Sequence, residues 1–321
     1  MTLNVLLVGA SGFVGRAILA TLLVRRDVRV WTLTRRPLPV PAVPAHRQRL
    51  AELTRPESLA GCCAGVDAVL HAASYVGSDA ELAERVNHLG TRWLTREVVA
   101  AGVTRFVYVS VAAVYGSGPH RGPAEGEIEA RPTSARSASR LRAEAYVLGA
   151  GGQVLRPHLV YGPEDRWFVP ATAAMLAAAP GWIDGGAART SVINVRDLAR
   201  LAVALGTAAT PPAQRVHHAN HPEPVTIREI GLALAREFGI AVPDGSVDLA
   251  EARRWARRAG IPDRQLTLFA ADHWYDSTRV WRVTGQTPGP RLPNDLAGSA
   301  EWYRPLLAGR DAAHAERRPH G

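Results

Sequence analysis

The sequence predicts an α/β protein: a doubly wound parallel sheet with a smaller, mostly helical C-terminal lobe. Three observations predict it. Short apolar runs, hydrophobic on both faces, alternate with helical stretches through the first half of the 321 residues. This is the pattern of buried parallel strands joined by right-handed crossovers. A glycine-rich turn stands between the first strand and the first helix, and after Gly162 the alternation gives way to longer helical runs.

The first strand is LNVLLV, residues 3–8, followed by a helix from Gly15 to about Arg25 and a strand VRVWTLT from Val28 to Thr34. Next come a strand in VDAVLHAA around Val69, a helix over Leu82 to Ala101, a strand FVYVSV from Phe106, a helix over Ser137 to Leu148, and a strand QVLRP from Gln153. Strands alternating with helices of this length build βαβ units. Further on, 167–179 and 197–205 read as helices and RVHHAN as one more strand. TIREIGLALAREFG, EARRWARRAG and a piece from Leu296 to Leu307 read as helices of the second lobe. The implied division is a sheet domain of residues 1–162 plus about 190–222, a substrate lobe of about 163–189 plus 223–308, and a flexible tail over 309–321. No internal repeat is present.

Composition narrows the function. With 47% apolar and 21% charged residues the chain fills a core and is not disordered. All 38 basic residues are Arg, with no Lys anywhere, which excludes a Schiff-base lysine, a P-loop lysine or a Tyr-x-x-x-Lys pair. The arginines are scattered rather than striped, so the net charge of +9 reads as GC-rich coding bias and not as a nucleic-acid surface. Cys62 and Cys63 are adjacent, with Cα atoms about 3.8 Å apart, closer than an ordinary disulfide spans. They read as small packing residues in a reducing compartment. No apolar run approaches the length of a membrane span and no basic leader precedes the first strand. The expectation is a cytoplasmic protein with a small-molecule substrate, no bound metal, no nucleic acid and no membrane partner; the oligomeric state is left open.

Gly9-Ala10-Ser11-Gly12-Phe13-Val14-Gly15 has the GxxGxxG spacing that turns tightly, lets backbone approach a diphosphate and packs helix on sheet. The helix start adds free N–H groups and the positive end of its dipole. The end of the second strand selects the dinucleotide. A free ribose 2′-hydroxyl wants a carboxylate there and a 2′-phosphate wants Arg. The strand ends Thr34-Arg35-Arg36-Pro37, with no acid, and a guanidinium fork matches phosphate oxygens. The expected cofactor is NADP(H).

These motifs are joined by ELTRPESL (52–59), GVDAVLHAAS (65–74), VNHLGT (86–91), FVYVSVAAVYG (106–116), LRPHLVYGP (155–163) and VINVRDLA (192–199), in an order and spacing that resemble the extended short-chain dehydrogenase/reductases. The resemblance runs from about residue 3 to residue 307 and implies a Rossmann fold. It implies that Glu52 and Leu53 flank the adenine and that Ala72, Ala73 and Ser74 line the cofactor ribose and phosphate. Asn87 would brace the sheet, and 156–161, Pro157 among them, would pass the nicotinamide.

The same resemblance locates the chemistry and shows it altered. The family's Ser or Thr, four positions before the tyrosine of VYG (here Tyr115), falls on Val111. Ser110 is one residue early, on the opposite face of a strand. The family's Tyr-x-x-x-Lys falls on Arg136 and Arg140. At i and i+4 the two share a helix face. Arg140 is expected to hold the nicotinamide ribose and Arg136 to stabilise a developing alkoxide. Neither is a proton donor near neutral pH. The proton is left to water, a substrate hydroxyl or His158, whose ordinary pKa suits the task.

Seven of eight tryptophans lie beyond residue 90. Large rigid rings suit a flat apolar ligand, and Val111, Tyr115, Trp167 and Trp274 are the expected substrate contacts. The Gly-, Pro- and Glu-rich loop of residues 117–135 is either a lid or a long surface loop. The expectation is an NADPH-dependent ketoreductase acting on a bulky aromatic, polyketide-type ketone in antibiotic biosynthesis. A non-catalytic NADP(H)-binding regulator and a nucleotide-sugar epimerase or dehydratase stay open as alternatives.

Overall fold

The computed structural model describes residues 2–39 and 43–315. A seven-stranded sheet forms its centre. β1 (Leu3–Val8), α1 (Phe13–Leu23), β2 (Val28–Thr34), β3 (Gln48–Leu50) and β4 (Ala68–His71) open the chain. A short helix α2 (Ala80–Ala83) runs through a wide π turn (Glu84–Leu89) into α3 (Gly90–Ala100), so the single helix expected over 82–101 is interrupted. Then come β5 (Arg105–Val109), a two-residue β6 (His120–Arg121), α4 (Ala135–Gly149), β7 (Gln153–Arg156), β8 (Leu159–Tyr161) and α5 (Phe168–Ala178).

β9 (Trp182–Ile183), β10 (Arg189–Thr190), β11 (Val192–Asn194), α6 (Val195–Thr207) and β12 (Val216–His218) follow. The rest comprises β13 (Val225–Thr226), α7 (Ile227–Phe238), β14 (Ser246–Val247), α8 (Leu249–Arg258), α9 (Asp263–Ala270), β15 (His273–Trp274), α10 (Thr278–Thr284), α11 (Leu292–Asp295) and α12 (Ala300–Ala315).

The central strands lie in the order β12-β7-β5-β4-β1-β2-β3, all parallel. Order reverses between β1 and β4. At such a reversal the crossovers leave on opposite faces and a crevice opens at the carboxyl ends of the strands. Alternation along β1 supplies both cores. Val5 and Leu7 pack with Ile18 and Leu22 of α1 and Leu198 and Leu201 of α6 on one face. Leu6 and Val8 pack with Leu94 and Val98 of α3 and Val147 of α4 on the other. Each such fully buried aliphatic side chain contributes about 1.5–3 kcal/mol.

The second lobe has its own core, with Leu176, Trp182, Ile230, Leu234, Leu266 and Tyr303 among its members. Two segments cross the boundaries the sequence suggests. β6, from the 117–135 loop, pairs with β15, so the small sheet β13-β10-β15-β6 carries that loop on the lobe. α10 returns to the central sheet, where Val280 and Trp281 join the core that holds Val5 and Leu7. The reason is local. The Trp281 indole donates to the Asn220 carbonyl at 2.7 Å, two residues beyond β12. The tail expected to be flexible from residue 309 is partly helical, since α12 runs to Ala315; residues 316–321 lie outside the described ones. Among the described residues no helix is long and apolar enough to cross a membrane, and no group of three His, Cys, Asp or Glu is placed to hold a metal. Cys62 and Cys63 are buried free thiols.

Candidate active site

The crevice between β1 and β4 is built from backbone. Gly9 has φ +91°, and a Cβ on it would lie 2.5 Å from the Ala73 nitrogen. A Cβ on Gly15 would lie 2.0 Å from the Gly9 carbonyl oxygen. These two positions exclude a side chain, while Gly12, with 3.5 Å to its nearest neighbour, does not. The Gly12 N–H donates to the Gly9 carbonyl at 3.1 Å, which closes the turn before Phe13 and Val14 begin α1. The first N–H groups of a helix have no intrahelical acceptor. A turn with no room for a Cβ at Gly9 or Gly15, beside exposed Ser11 and the free amides of a helix start, fits a diphosphate.

The residues expected to flank this cradle come from the end of β2 and the segments after β3 and β4. The Thr34 hydroxyl donates to the Arg36 carbonyl at 2.7 Å, a turn that leaves Arg35 and Arg36 exposed. Neither arginine has an ion pair or side-chain hydrogen bond among the described residues. Leu53 is buried against Gly90, and Glu52, half-buried, pairs with Arg55 at 3.5 Å. Ala72, Ala73 and Ser74 are half-buried just beyond β4. Asn87 sits in the π turn and is fully buried. Its side chain accepts from the Tyr75 N–H at 2.7 Å and donates to the Tyr75 carbonyl at 3.1 Å and the Ser139 hydroxyl at 3.2 Å. It ties the segment after β4 to α4 rather than bracing the sheet itself.

α4 begins with a capping box between Ser134 and Ser137, which satisfies amides of its first turn. Arg136 and Arg140 follow on one face. Arg140, half-buried, donates to the Ser110 carbonyl at 3.1 Å and to the Ser74 hydroxyl. Burial, with the nearby Arg136 charge, pushes its pKa below the ordinary guanidinium value. Arg136 is exposed and donates to the Val76 carbonyl. Among the described residues neither arginine contacts a carboxylate. Val111 is half-buried, and the Ser110 hydroxyl, on the other face, bonds Glu144.

One turn beyond Arg140, Glu144 is buried and paired with Arg156 at the end of β7. Arg156 also donates to the Tyr115 hydroxyl at 2.6 Å, and that hydroxyl lies 2.6 Å from Nε2 of His218. Nδ1 of His218 lies 3.1 Å from the Asp276 carbonyl. With the Nδ1–H donating there, Nε2 is the acceptor for the Tyr115 O–H. A buried polar chain thus runs from α4 through the sheet to the loop before α10. Sequence reasoning missed it, although Glu144 stands at i+4 from Arg140 and Arg156 closes a strand.

The contacts of Tyr115, Trp274 and His158 correct three expectations. Tyr115 is buried with its hydroxyl committed to Arg156 and His218, so it is a structural member and not a substrate contact. Trp274 lies against Gly122, where a Cβ would come within 2.2 Å of its ring, and under the Arg189 guanidinium at 4.5 Å, so it pins the 117–135 loop. His158 stacks on His273 at 5.9 Å beside Tyr275, and burial, helped by His273 and His120, pushes its pKa down to about 3. An imidazole so placed is neutral near pH 7 and has no extra proton to give. Trp167 is 74% exposed beside the start of α5. Pro157 is buried, and its carbonyl accepts from the Ala112 N–H at 2.7 Å, which joins the end of β7 to the turn holding Val111.

The chain is 28% identical to the 2-alkyl-3-oxoalkanoate reductase of Stenotrophomonas maltophilia over 92% of its own length and 97% of that protein. It is 31% identical to a 3-beta-hydroxysteroid dehydrogenase of Mycolicibacterium neoaurum over 51% of this chain and 49% of the other. The Bordetella bronchiseptica enzyme WbmH, solved in complex with NAD+, superposes with a TM-score of 0.73 at 20% identity, over 95% of this chain and all of that one, a likeness of fold. The model of the NAD dependent epimerase/dehydratase family matches residues 5–216, and the chain belongs to that family of oxidoreductases acting at carbonyl and hydroxyl groups.

Proposed function

We propose that the protein is an NADPH-dependent ketoreductase for a bulky aromatic, polyketide-type ketone in antibiotic biosynthesis, working without a Ser-Tyr-Lys set. In this respect it resembles the atypical reductases of bacterial polyketide tailoring, the angucyclinone ketoreductase of simocyclinone biosynthesis in particular. The observation that carries the reading is the face of α4. It carries two guanidiniums, neither in contact with a carboxylate among the described residues, at the positions to which the resemblance assigns the family's proton donor and its lysine partner.

Gly9, Ser11, Gly12, Phe13, Val14 and Gly15 would hold the diphosphate, Thr34, Arg35 and Arg36 the 2′-phosphate end, Glu52 and Leu53 the adenine, and Ala72, Ala73, Ser74 and Pro157 the remainder. A bound dihydronicotinamide supplies hydride. Arg140, fixed by Ser110 and Ser74, keeps a positive charge in a partly desolvated place. There, besides holding the nicotinamide ribose, it takes the charge-stabilising part expected of Arg136, which is exposed and so more strongly screened. Arg140 stabilises negative charge developing on a carbonyl oxygen more than it would in water. Arg136 offers a second fork. Neither transfers a proton, so the proton reaching the oxygen comes from a hydroxyl beside the carbonyl on the substrate, or from water. Val111 in place of a hydroxyl leaves an apolar wall, and exposed Trp167 offers a ring for a flat ligand to cover. The likeness to a steroid dehydrogenase supports a polycyclic substrate.

The test is NADPH consumption with a panel of polycyclic ketones. Turnover of those bearing a hydroxyl adjacent to the ketone supports the proposal. Tight NADPH binding without turnover of any ketone would leave the non-catalytic regulator in its place.

A further inference from the structure

Arg16, on the first turn of α1, reaches in two directions. Its Nε donates to the Ser11 carbonyl inside the glycine-rich turn at 3.1 Å, and its Nη1 meets the Glu164 carboxylate at 3.2 Å. Glu164 belongs to the loop that leaves β8 for the second lobe, so this arginine spans the cradle and the lobe at one edge of the crevice.

Glu164 is held in an uncommon way. Its φ is +77°, a left-handed conformation that side chains with a Cβ rarely adopt. The next residue locks it there. Asp165, buried, accepts from the N–H groups of Trp167 and Phe168, each at 2.8 Å, from that of Val169 at 2.9 Å, and from the Tyr303 hydroxyl at 3.0 Å. Strain of this kind is found where the surroundings fix a side chain's position. The side chain so fixed is a carboxylate beside the turn that receives a diphosphate.

We infer that Glu164 is a positioning residue that weakens cofactor binding and hastens cofactor release. This rests on the reading of the glycine-rich turn as a dinucleotide cradle. A diphosphate at the start of α1 and the Glu164 carboxylate compete for one guanidinium fork, and the two anions repel each other. Arg16 therefore cannot give its full attraction to the cofactor while Glu164 carries its charge. In a reductase the spent dinucleotide must leave at every turnover, and release often limits the rate. The residue pair is partly exposed, so the effect is moderate.

The test is a fluorescence titration of NADPH and NADH on the full-length protein, with stopped-flow displacement for the off-rate. Glu164→Gln is expected to tighten binding about three- to tenfold and slow release by a similar factor, and Arg16→Gln to weaken binding by about the same factor. Glu164→Gly is expected to match Glu164→Gln in affinity while raising the thermal midpoint, because it removes the charge and also the left-handed strain. Affinity unchanged within about 1.5-fold, or weakened, in Glu164→Gln would overturn the inference while leaving the cradle intact. Failure of the wild-type protein to bind any nicotinamide dinucleotide would overturn the cradle as well.

Discussion

The glycine-rich turn after β1 and the N-terminal face of α4 border the same crevice, yet they are made of different material. The turn is backbone. Gly9 and Gly15 are dictated by contacts of 2.5 and 2.0 Å that any Cβ would make, so the shape tolerates little change whatever ligand is used. The face of α4 is side chain. Arg136 and Arg140 occupy a standard capped helix, and nothing in its backbone requires them rather than Tyr and Lys. The shape of the turn is therefore held by the fold, whereas the charge presented by α4 rests on two replaceable positions.

The strongest way to break this contrast is to attack the chain beneath α4. Glu144→Ala leaves Arg156 buried and unpaired, and is expected to destabilise the protein by about 3–5 kcal/mol in denaturant unfolding. A loss below about 1 kcal/mol would mean that the buried pair does not anchor α4. Next, Arg140→Ala is expected to lower kcat/KM by about 30- to 100-fold, near 2–3 kcal/mol, with NADPH affinity reduced far less. If Arg136→Ala and Arg140→Ala each stay within about threefold, neither arginine stabilises the transition state. At the cofactor end, Arg35→Ser is expected to weaken NADPH by about tenfold and leave NADH unchanged. Equal losses for both would return Arg35 to an ordinary surface role.

The smallest expected effect belongs to His158. His158→Phe should leave kcat/KM within about twofold, because a neutral imidazole supplies no proton. It should instead alter acid stability. The folded pKa values of His158 and His71 lie near 3 and those of His217 and His218 near 4, all below the unfolded value. Between those values and about 6.5 the unfolded chain binds more protons, so stability falls as pH drops below about 6.5. Each such histidine contributes up to about 1.4 kcal/mol per pH unit in that window. Removing one should flatten the fall measured by thermal unfolding from pH 7 to 4.5.

Much of this was legible in the chain itself. The strands β1, β2, β4, β5 and β7, the helices flanking them and the glycine-rich turn follow from local periodicity and spacing, which act over few residues. That Arg136 and Arg140 share one face of α4 could be read by counting along one helix. What escaped was long-range. Tyr115 meets His218 across 103 residues, and Trp274 is held by Gly122 and Arg189 from distant segments. Whether a tyrosine or tryptophan faces a ligand or a neighbour is decided by such pairings, which no local pattern encodes. The break in the helix over 82–101 has a similar origin, since Asn87 there serves Tyr75 and Ser139.

The most direct test of the central claim is the pH profile of kcat/KM for a series of ketones bearing neighbouring hydroxyls of different acidity. If the substrate rather than the protein supplies the proton, the alkaline break tracks the acidity of each substrate's hydroxyl and moves from one ketone to the next. A break that stays at one pH throughout the series, with the O-methyl ethers reduced equally well, would place the acid on the protein and contradict the account.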